Sequence, residues 1–241
     1  MCGRFTDMLA QLDLEDDLAV DLWLSTVRRP HFNVAPSQQI RLITDLNNPA
    51  DLFEIKVPQH EGPARTAFDA RWGLVPHWSK TGPSAGGLIN ARSETVTTKP
   101  SFRGAARYRR AVVPASGYFE WVKQPDGSKQ AFYLSPDDGA PLYFAGLYEK
   151  WGPDSILTAT ILTREAPDHL AVIHPRTPVV LARDLVDAWL EPDLTGVGAV
   201  EGILASAQQR ELHAVAVGPQ VGSVRNNGPE LIAPTELNSL W

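Results

Sequence analysis

The chain has 241 residues, of which 43% are hydrophobic and 21% charged. An ordinary apolar fraction at this length is enough to enclose a core, which excludes a disordered or fibrous chain, and a single domain over residues 1–241 is the expectation because β-rich domains reach ~250 residues. The net charge of −6 argues against bulk, sequence-independent attraction to nucleic acid while leaving room for a local basic groove.

Along the chain, residues 7–27 are rich in Leu and Asp and read as one or two short helices, with Leu9, Leu12, Leu18, Leu22 and Trp23 turned to the core. Residues 39–45 alternate like a strand, and residues 52–57 are the expected hairpin partner. Residues 58–66 are polar and rich in turn formers, an exposed loop, and residues 67–75 read as another strand. Residues 80–87 carry Gly, Ser and Pro and read as a flexible connection. Residues 111–122, 131–134, 141–148 and 156–163 are β-branched and aromatic segments separated by turn signals such as Pro125-Asp126-Gly127. Residues 167–173 and 182–190 read as helices, the second with Leu185, Val186, Trp189 and Leu190 at helical spacing. A short helix near residues 202–209 and a strand at 212–217 follow. The class is α+β: a mainly antiparallel sheet or barrel with helices outside it.

The longest apolar runs are too short to span a membrane, and the first residues lack a basic segment followed by an apolar one, so no membrane partner and no secretory signal are expected. With a single cysteine, a disulfide framework and a thiolate metal cluster are not expected, and a cytoplasmic location is. The six His show no ligand spacing with a carboxylate partner and no Gly-rich phosphate loop is present, so neither a metal nor a cofactor is predicted.

The lone cysteine is Cys2. Removal of Met1 would leave a free α-amine, with an ordinary pKa of ~7.7–8.0, beside a thiol at ~8.5, both partly nucleophilic near neutral pH. Such a 1,2-aminothiol condenses with an aldehyde: the amine forms an imine and the thiol closes on its carbon, giving a five-membered thiazolidine.

Further polar and aromatic clusters are denser than packing requires. They are the segments beginning at Phe32 (FNVAP), Arg71 (RWGLVPHW), Asn90 (NARSET), Pro114 (PASGYFEW) and His174 (HPRTP). Taken singly, each has a plain structural reading. Asn33 and Asn90 cap turns. Trp72 and Trp121 belong to the core. His174 is a histidine at a helix end, and Glu120, between Phe119 and Trp121 in a strand, faces solvent.

In order, MCGRF, NVAP, RWGLVPHW, NARSET, PASGYFEW, HPRTP and the closing Val224-Arg225-Asn226-Asn227 resemble the SRAP family, the SOS response-associated peptidase proteins, which crosslink to abasic sites in single-stranded DNA. The resemblance runs from Cys2 to about Pro234, and the chain departs from the pattern at Thr177, where the family more often has Met. It implies that Cys2 is the terminal nucleophile, that Asn90 holds the Cys and the sugar by hydrogen bonds, that Glu120 is the acid or base near the Cys amine, and that His174 stands beside the abasic sugar. These four suit the chemistry, because a closed abasic hemiacetal must be opened and protons moved through a carbinolamine.

Residues 92–110 hold six basic side chains (Arg92, Lys99, Arg103, Arg107, Arg109, Arg110) against one acidic, Glu94, a net +5 that fits a phosphate-tracking groove. Arg4, Arg71, Arg92 and Arg103 are the candidate phosphate contacts, and Trp78 the candidate stacking or wedge residue. The expected partner is abasic single-stranded DNA, bound by a monomer. The competing readings are an N-terminal-nucleophile cysteine peptidase or amidohydrolase, and a single-stranded DNA binding module that does not react.

Overall fold

The computed structural model describes residues 2–28, 30–53, 62–84, 87–208 and 210–235. In chain order the regular elements are β1 (Phe5–Asp7), α1 (Gln11–Leu18), β2 (Leu22–Trp23), β3 (His31–Val34), β4 (Gln39–Leu46), β5 (Ala64–Trp72) and β6 (Asn90–Arg92). Then come α2 (Arg103–Tyr108), β7 (Arg110–Ala115), β8 (Gly117–Lys123), β9 (Lys129–Ser135), β10 (Leu142–Trp151) and β11 (Ile156–Glu165). The last are α3 (Asp168–Ala171), β12 (Arg176–Pro178), β13 (Val180–Leu181), α4 (Arg183–Leu190), α5 (Val197–Ser206) and β14 (His213–Val217).

Among the described residues the strands form two sheets. One runs β14-β9-β8-β1-β3, antiparallel throughout. The other runs β12-β11-β10-β7-β4-β5-β2, and β5 returns to pair parallel with β11 at Trp72–Ala159, closing β11-β10-β7-β4-β5 into a barrel. Side chains of successive strand residues point to opposite faces, and the barrel strands bury both. Leu42, Phe68, Val113, Phe144 and Ile161 share one cluster with Cys2 and Phe5. Their sequence neighbours Ile43, Ala67, Val112, Ala145 and Leu162 belong to a second cluster, covered by α1, α2, α4 and α5. The first cluster is therefore the barrel interior and the second its helix-clad outside. The five-stranded sheet lays Phe5 edge-on against Trp72 at 5.2 Å and Tyr118 against Phe144 at 6.1 Å, which brings β1 and β8 over the barrel interior.

The helices follow from their apolar spacing. In α4, Val186, Trp189 and Leu190 are buried, and the Trp189 indole donates to the Ala111 carbonyl at 2.9 Å, so the buried N–H is satisfied. In α1 only Leu14 and Leu18, one turn apart, are buried.

Several expectations are corrected. The helix predicted within residues 7–27 ends at Leu18, where Ala19 adopts φ 51°, and Leu22–Trp23 is instead a short strand parallel to β5. Leu12 is 72% exposed, because it lies two residues from Leu14 and so on the opposite side of the helix. The hairpin partner of β4 is not residues 52–57, of which 54–57 lie outside the described residues; β4 pairs with β5 from Gln39–Arg71 to Leu46–Ala64, and Ala64–Thr66, read as loop, is the start of that strand. Residues 111–122 are two strands in different sheets, split at Ser116. Gly117 permits this change of sheet, since a Cβ there would stand 2.5 Å from the Tyr133 ring and 2.7 Å from the Leu134 carbonyl. The strands expected over residues 131–134, 141–148, 156–163 and 212–217 are present as β9, β10, β11 and β14.

Candidate active site around Cys2

Cys2 is fully buried three residues before β1. The Asn90 amide donates to the Cys2 carbonyl at 2.8 Å, while Asn90 Oδ1 is buried and takes no hydrogen bond from the described residues. Asn90 holds this position because β6 pairs with β11 at Ile161, on the face that lines the barrel interior. Glu120 is 5% exposed, not solvent-facing as its strand position alone implied. Period-two alternation in β8 sends Phe119 to the cluster behind the sheet and Tyr118 to the one containing Cys2; Glu120, two residues from Tyr118, shares the Cys2 side. Glu120 Oε1 lies 4.0 Å from His174 Nδ1. His174 follows α3, its N–H bonded to the Leu170 carbonyl at 3.0 Å and its Nδ1 accepting the Arg176 N–H at 3.0 Å, so the ring is oriented by backbone.

Burial governs the electrostatics. It pushes the Glu120 carboxyl above the ordinary carboxylate range, with the charge of His174 pulling the other way. It pushes the Cys2 thiol up strongly, helped by the nearby Glu120 charge. The thiol is thus protonated at neutral pH, not partly ionised as an exposed terminal cysteine would be, and needs a proton acceptor when it reacts. Glu120 and His174 are such groups, with His174 27% exposed and the carboxylate buried beneath it.

The sequence-predicted cationic residues fare differently. Arg4 Nη1 donates to Asn33 Oδ1 at 2.6 Å and to the Val221 carbonyl at 2.7 Å, and its guanidinium lies 5.8 Å from the Trp121 ring centroid. Asn33 is buried, and its amide donates to the carbonyls of Ser223 and Asn226, both at 2.9 Å, so this pair straps the Val224-Arg225-Asn226-Asn227 motif to β3. Arg71 is half-buried with Nη1 on the Ser37 carbonyl, and Arg92 is exposed two residues beyond Asn90. Trp78 is 57% exposed on a turn that the Trp151 indole anchors through the Ser79 carbonyl at 2.9 Å. Arg103 is exposed at the start of α2, on the helix-clad side of the barrel.

Of the basic window, Arg110 is buried on the carbonyls of Trp189 and Glu191, Arg109 pairs with Glu149, and Arg107 donates to the Thr195 carbonyl. Sequence reasoning did not pick out two further neighbours of the site. Arg176 grips both Glu94 oxygens, at 2.6 and 2.8 Å, holding that carboxyl below its usual range. The Tyr118 hydroxyl pairs with Thr177 Oγ1 at 3.0 Å. The signal for Arg176 lay beside His174 in the same motif; Tyr118 reads as an ordinary core aromatic.

The family model for the SOS response associated peptidase (SRAP) matches residues 1–224. The chain belongs to the SRAP family. SRAP relatives include the abasic site processing protein YoaM of Bacillus subtilis, 34% identical over 236 residues that cover 96% of this chain and 97% of that protein. The abasic site processing protein YedK of Escherichia coli is 31% identical over 246 residues, 97% of this chain and 100% of that one. A crystal structure of a protein from Bacteroides thetaiotaomicron superposes with a TM-score of 0.76 at 20% identity, covering 98% of this chain and all of that one, so the fold is shared. The SRAP motifs noted in the sequence stand on separate elements, among them β1, β3, the end of β5, β6, β8 and the turn before β12.

Proposed function

We propose that this protein processes abasic sites in DNA by binding the single strand and forming a thiazolidine crosslink between Cys2 and the ring-opened sugar. Membership of the SRAP family and relatives named abasic site processing proteins support the broader role. The observation that carries the finer reading is the gathering of Asn90, Glu120 and His174 around a buried Cys2.

With Met1 removed, Cys2 presents an α-amine and a thiol. Ring opening moves a proton from the anomeric hydroxyl to the ring oxygen and leaves an aldehyde. The amine adds to that carbonyl, and the carbinolamine loses water to give the imine. The S–H then adds across C=N: sulfur bonds to carbon, and its proton goes to nitrogen. One water leaves overall. Glu120, whose burial raises its proton affinity above that of an ordinary carboxylate, and His174, at the solvent side, divide the proton transfers. Asn90 fixes the Cys2 backbone and offers its buried Oδ1 to the amine or the sugar.

The test is the intact mass of the mature protein mixed with abasic single-stranded DNA. The expected product equals protein plus DNA less one water, survives heat and needs no borohydride. Cys2→Ala keeps only an imine that borohydride must trap. A heat-stable, borohydride-independent adduct with Cys2→Ala overturns the mechanism, and cleavage of a peptide amide in place of crosslinking would favour the amidohydrolase.

A further inference from the structure

We infer that the Tyr118–Thr177 hydroxyl pair is a positioning clamp that sets His174 against Glu120. The inference rests on the proposed site. β8 belongs to the five-stranded sheet and β12 to the barrel sheet, and no backbone pairing joins them. Their side chains meet where Tyr118, 1% exposed, and Thr177, fully buried, share a hydrogen bond of 3.0 Å. Tyr118 lies two residues before Glu120 and on the same face of β8. Thr177 lies three residues after His174, and β12 is held to β11 by the pairs Thr163–Pro178, Arg164–Thr177 and Glu165–Arg176. The contact between the acid and the base, 4.0 Å across the same gap, is flanked by the clamp.

Packing alone does not account for hydroxyls here. Two apolar side chains of the same shape would fill the space at nearly equal stability, while a hydroxyl left unpaired when buried costs about 1–3 kcal/mol. What a hydrogen bond adds is a defined distance and direction between two otherwise independent strands. The phenol also feels the site: burial raises its pKa well above the ordinary tyrosine value, the hydrogen bond with Thr177 pulls the other way, and the nearby Glu120 charge adds to the rise. Tyr118 supplies the partner that makes a hydroxyl tolerable at buried Thr177.

The experiment compares wild type, Thr177→Val, Thr177→Ser, Tyr118→Phe and the double variant Tyr118→Phe/Thr177→Val. The readouts are single-turnover crosslinking over a range of abasic DNA concentrations and the His174 imidazole NMR resonances of the free protein. Misplacement by ~1 Å can cost ~100-fold in rate, and one hydrogen bond is typically worth up to about ten-fold. Thr177→Val and Tyr118→Phe are expected to slow the maximal rate roughly 10-fold, leave the half-saturating DNA concentration within about two-fold, and shift the His174 resonances. Thr177→Ser, which keeps the oxygen, restores both rate and spectrum. The double variant equals either single one, because one interaction is lost in each. It also guards against misfolding, since it leaves no hydroxyl unpaired. An unchanged His174 spectrum in Thr177→Val and in the double variant overturns the clamp, as does a wild-type rate in those variants. A wild-type protein that forms no adduct overturns the proposed function instead, and the spectra still decide the clamp.

Discussion

Glu120 shows how burial assigns a role to an ordinary residue. In its strand it alternates with Phe119 and Trp121, a pattern that fits solvent as well as a pocket, yet it is 5% exposed with its pKa raised. A carboxyl whose folded pKa exceeds its unfolded value contributes full stability below the unfolded value of ~4.3 and loses it as pH rises through the folded one. Glu120→Gln removes the buried charge without changing shape. It should therefore raise the melting temperature at pH 7.5 and give little or no gain at pH 4, in thermal denaturation at the two pH values. The same variant cannot relay a proton and should slow crosslinking by ~10²-fold or more, the usual worth of a general acid or base. Stabilisation together with lost activity is the signature of a group held in an unfavourable state for its chemistry.

Among the elements, β1 follows Cys2 of the candidate site, and its attachment is electrostatic as well as hydrogen-bonded. Asp7, at its end, pairs with Arg41 of β4 at 2.5 Å, with the side chains 1% and 3% exposed. Arg41 also donates to the Leu9 carbonyl at 3.0 Å and lies 5.2 Å from the Trp23 ring centroid. This pair ties the five-stranded sheet to the barrel, next to the strand that begins after Cys2. Asp7→Ala leaves a buried guanidinium without its carboxylate and should cost about 3–5 kcal/mol. For a chain of this length that is a fall in melting temperature of roughly 10 °C. Arg41→Met in the Asp7→Ala background should recover most of the loss, in thermal or urea denaturation, because no uncompensated charge remains. A fall in the double variant as large as that of Asp7→Ala would show that packing around β1, not the ion pair, holds the sheet.

Across the whole molecule, the fold decides how many of the cations read from the sequence can meet DNA. Arg107, Arg109 and Arg110 are engaged by the protein itself, and Arg92, Lys99 and Arg103 remain exposed. Each phosphate neutralised on a single strand adds ~0.7 to the slope of log K against log salt. Three exposed cations allow residues 92–110 to contribute about 2 to that slope, where six would contribute about 4. Arg92→Ala, beside Asn90, should lower the slope by ~0.7 and Arg110→Met should leave it unchanged, in fluorescence anisotropy over a salt series. A slope of about 4 from this window would mean that the engaged arginines open on binding.

The sequence by itself determined what depends on near neighbours along the chain. Alternation predicts β4, β-branched and aromatic content predicts β9, β10 and β11, a strand is read at β14, and helical spacing predicts α4. The four candidate site residues were singled out through contiguous motifs that resemble the SRAP family; taken singly, Asn90, Glu120 and His174 have plain structural readings. Tertiary structure decided what depends on distant partners. Whether β4 pairs with residues 52–57 or with β5 is settled by a register of eight residue pairs, not by either strand alone. Whether Glu120 is wet or dry depends on β1 and on the turn before β12, and whether Arg110 meets DNA depends on the carbonyls of Trp189 and Glu191, about 80 residues away. The physical reason is one of range: periodicity is carried by the local backbone, while desolvation, charge pairing and the meeting of Tyr118 with Thr177 exist only after segments far apart in the chain have been packed together.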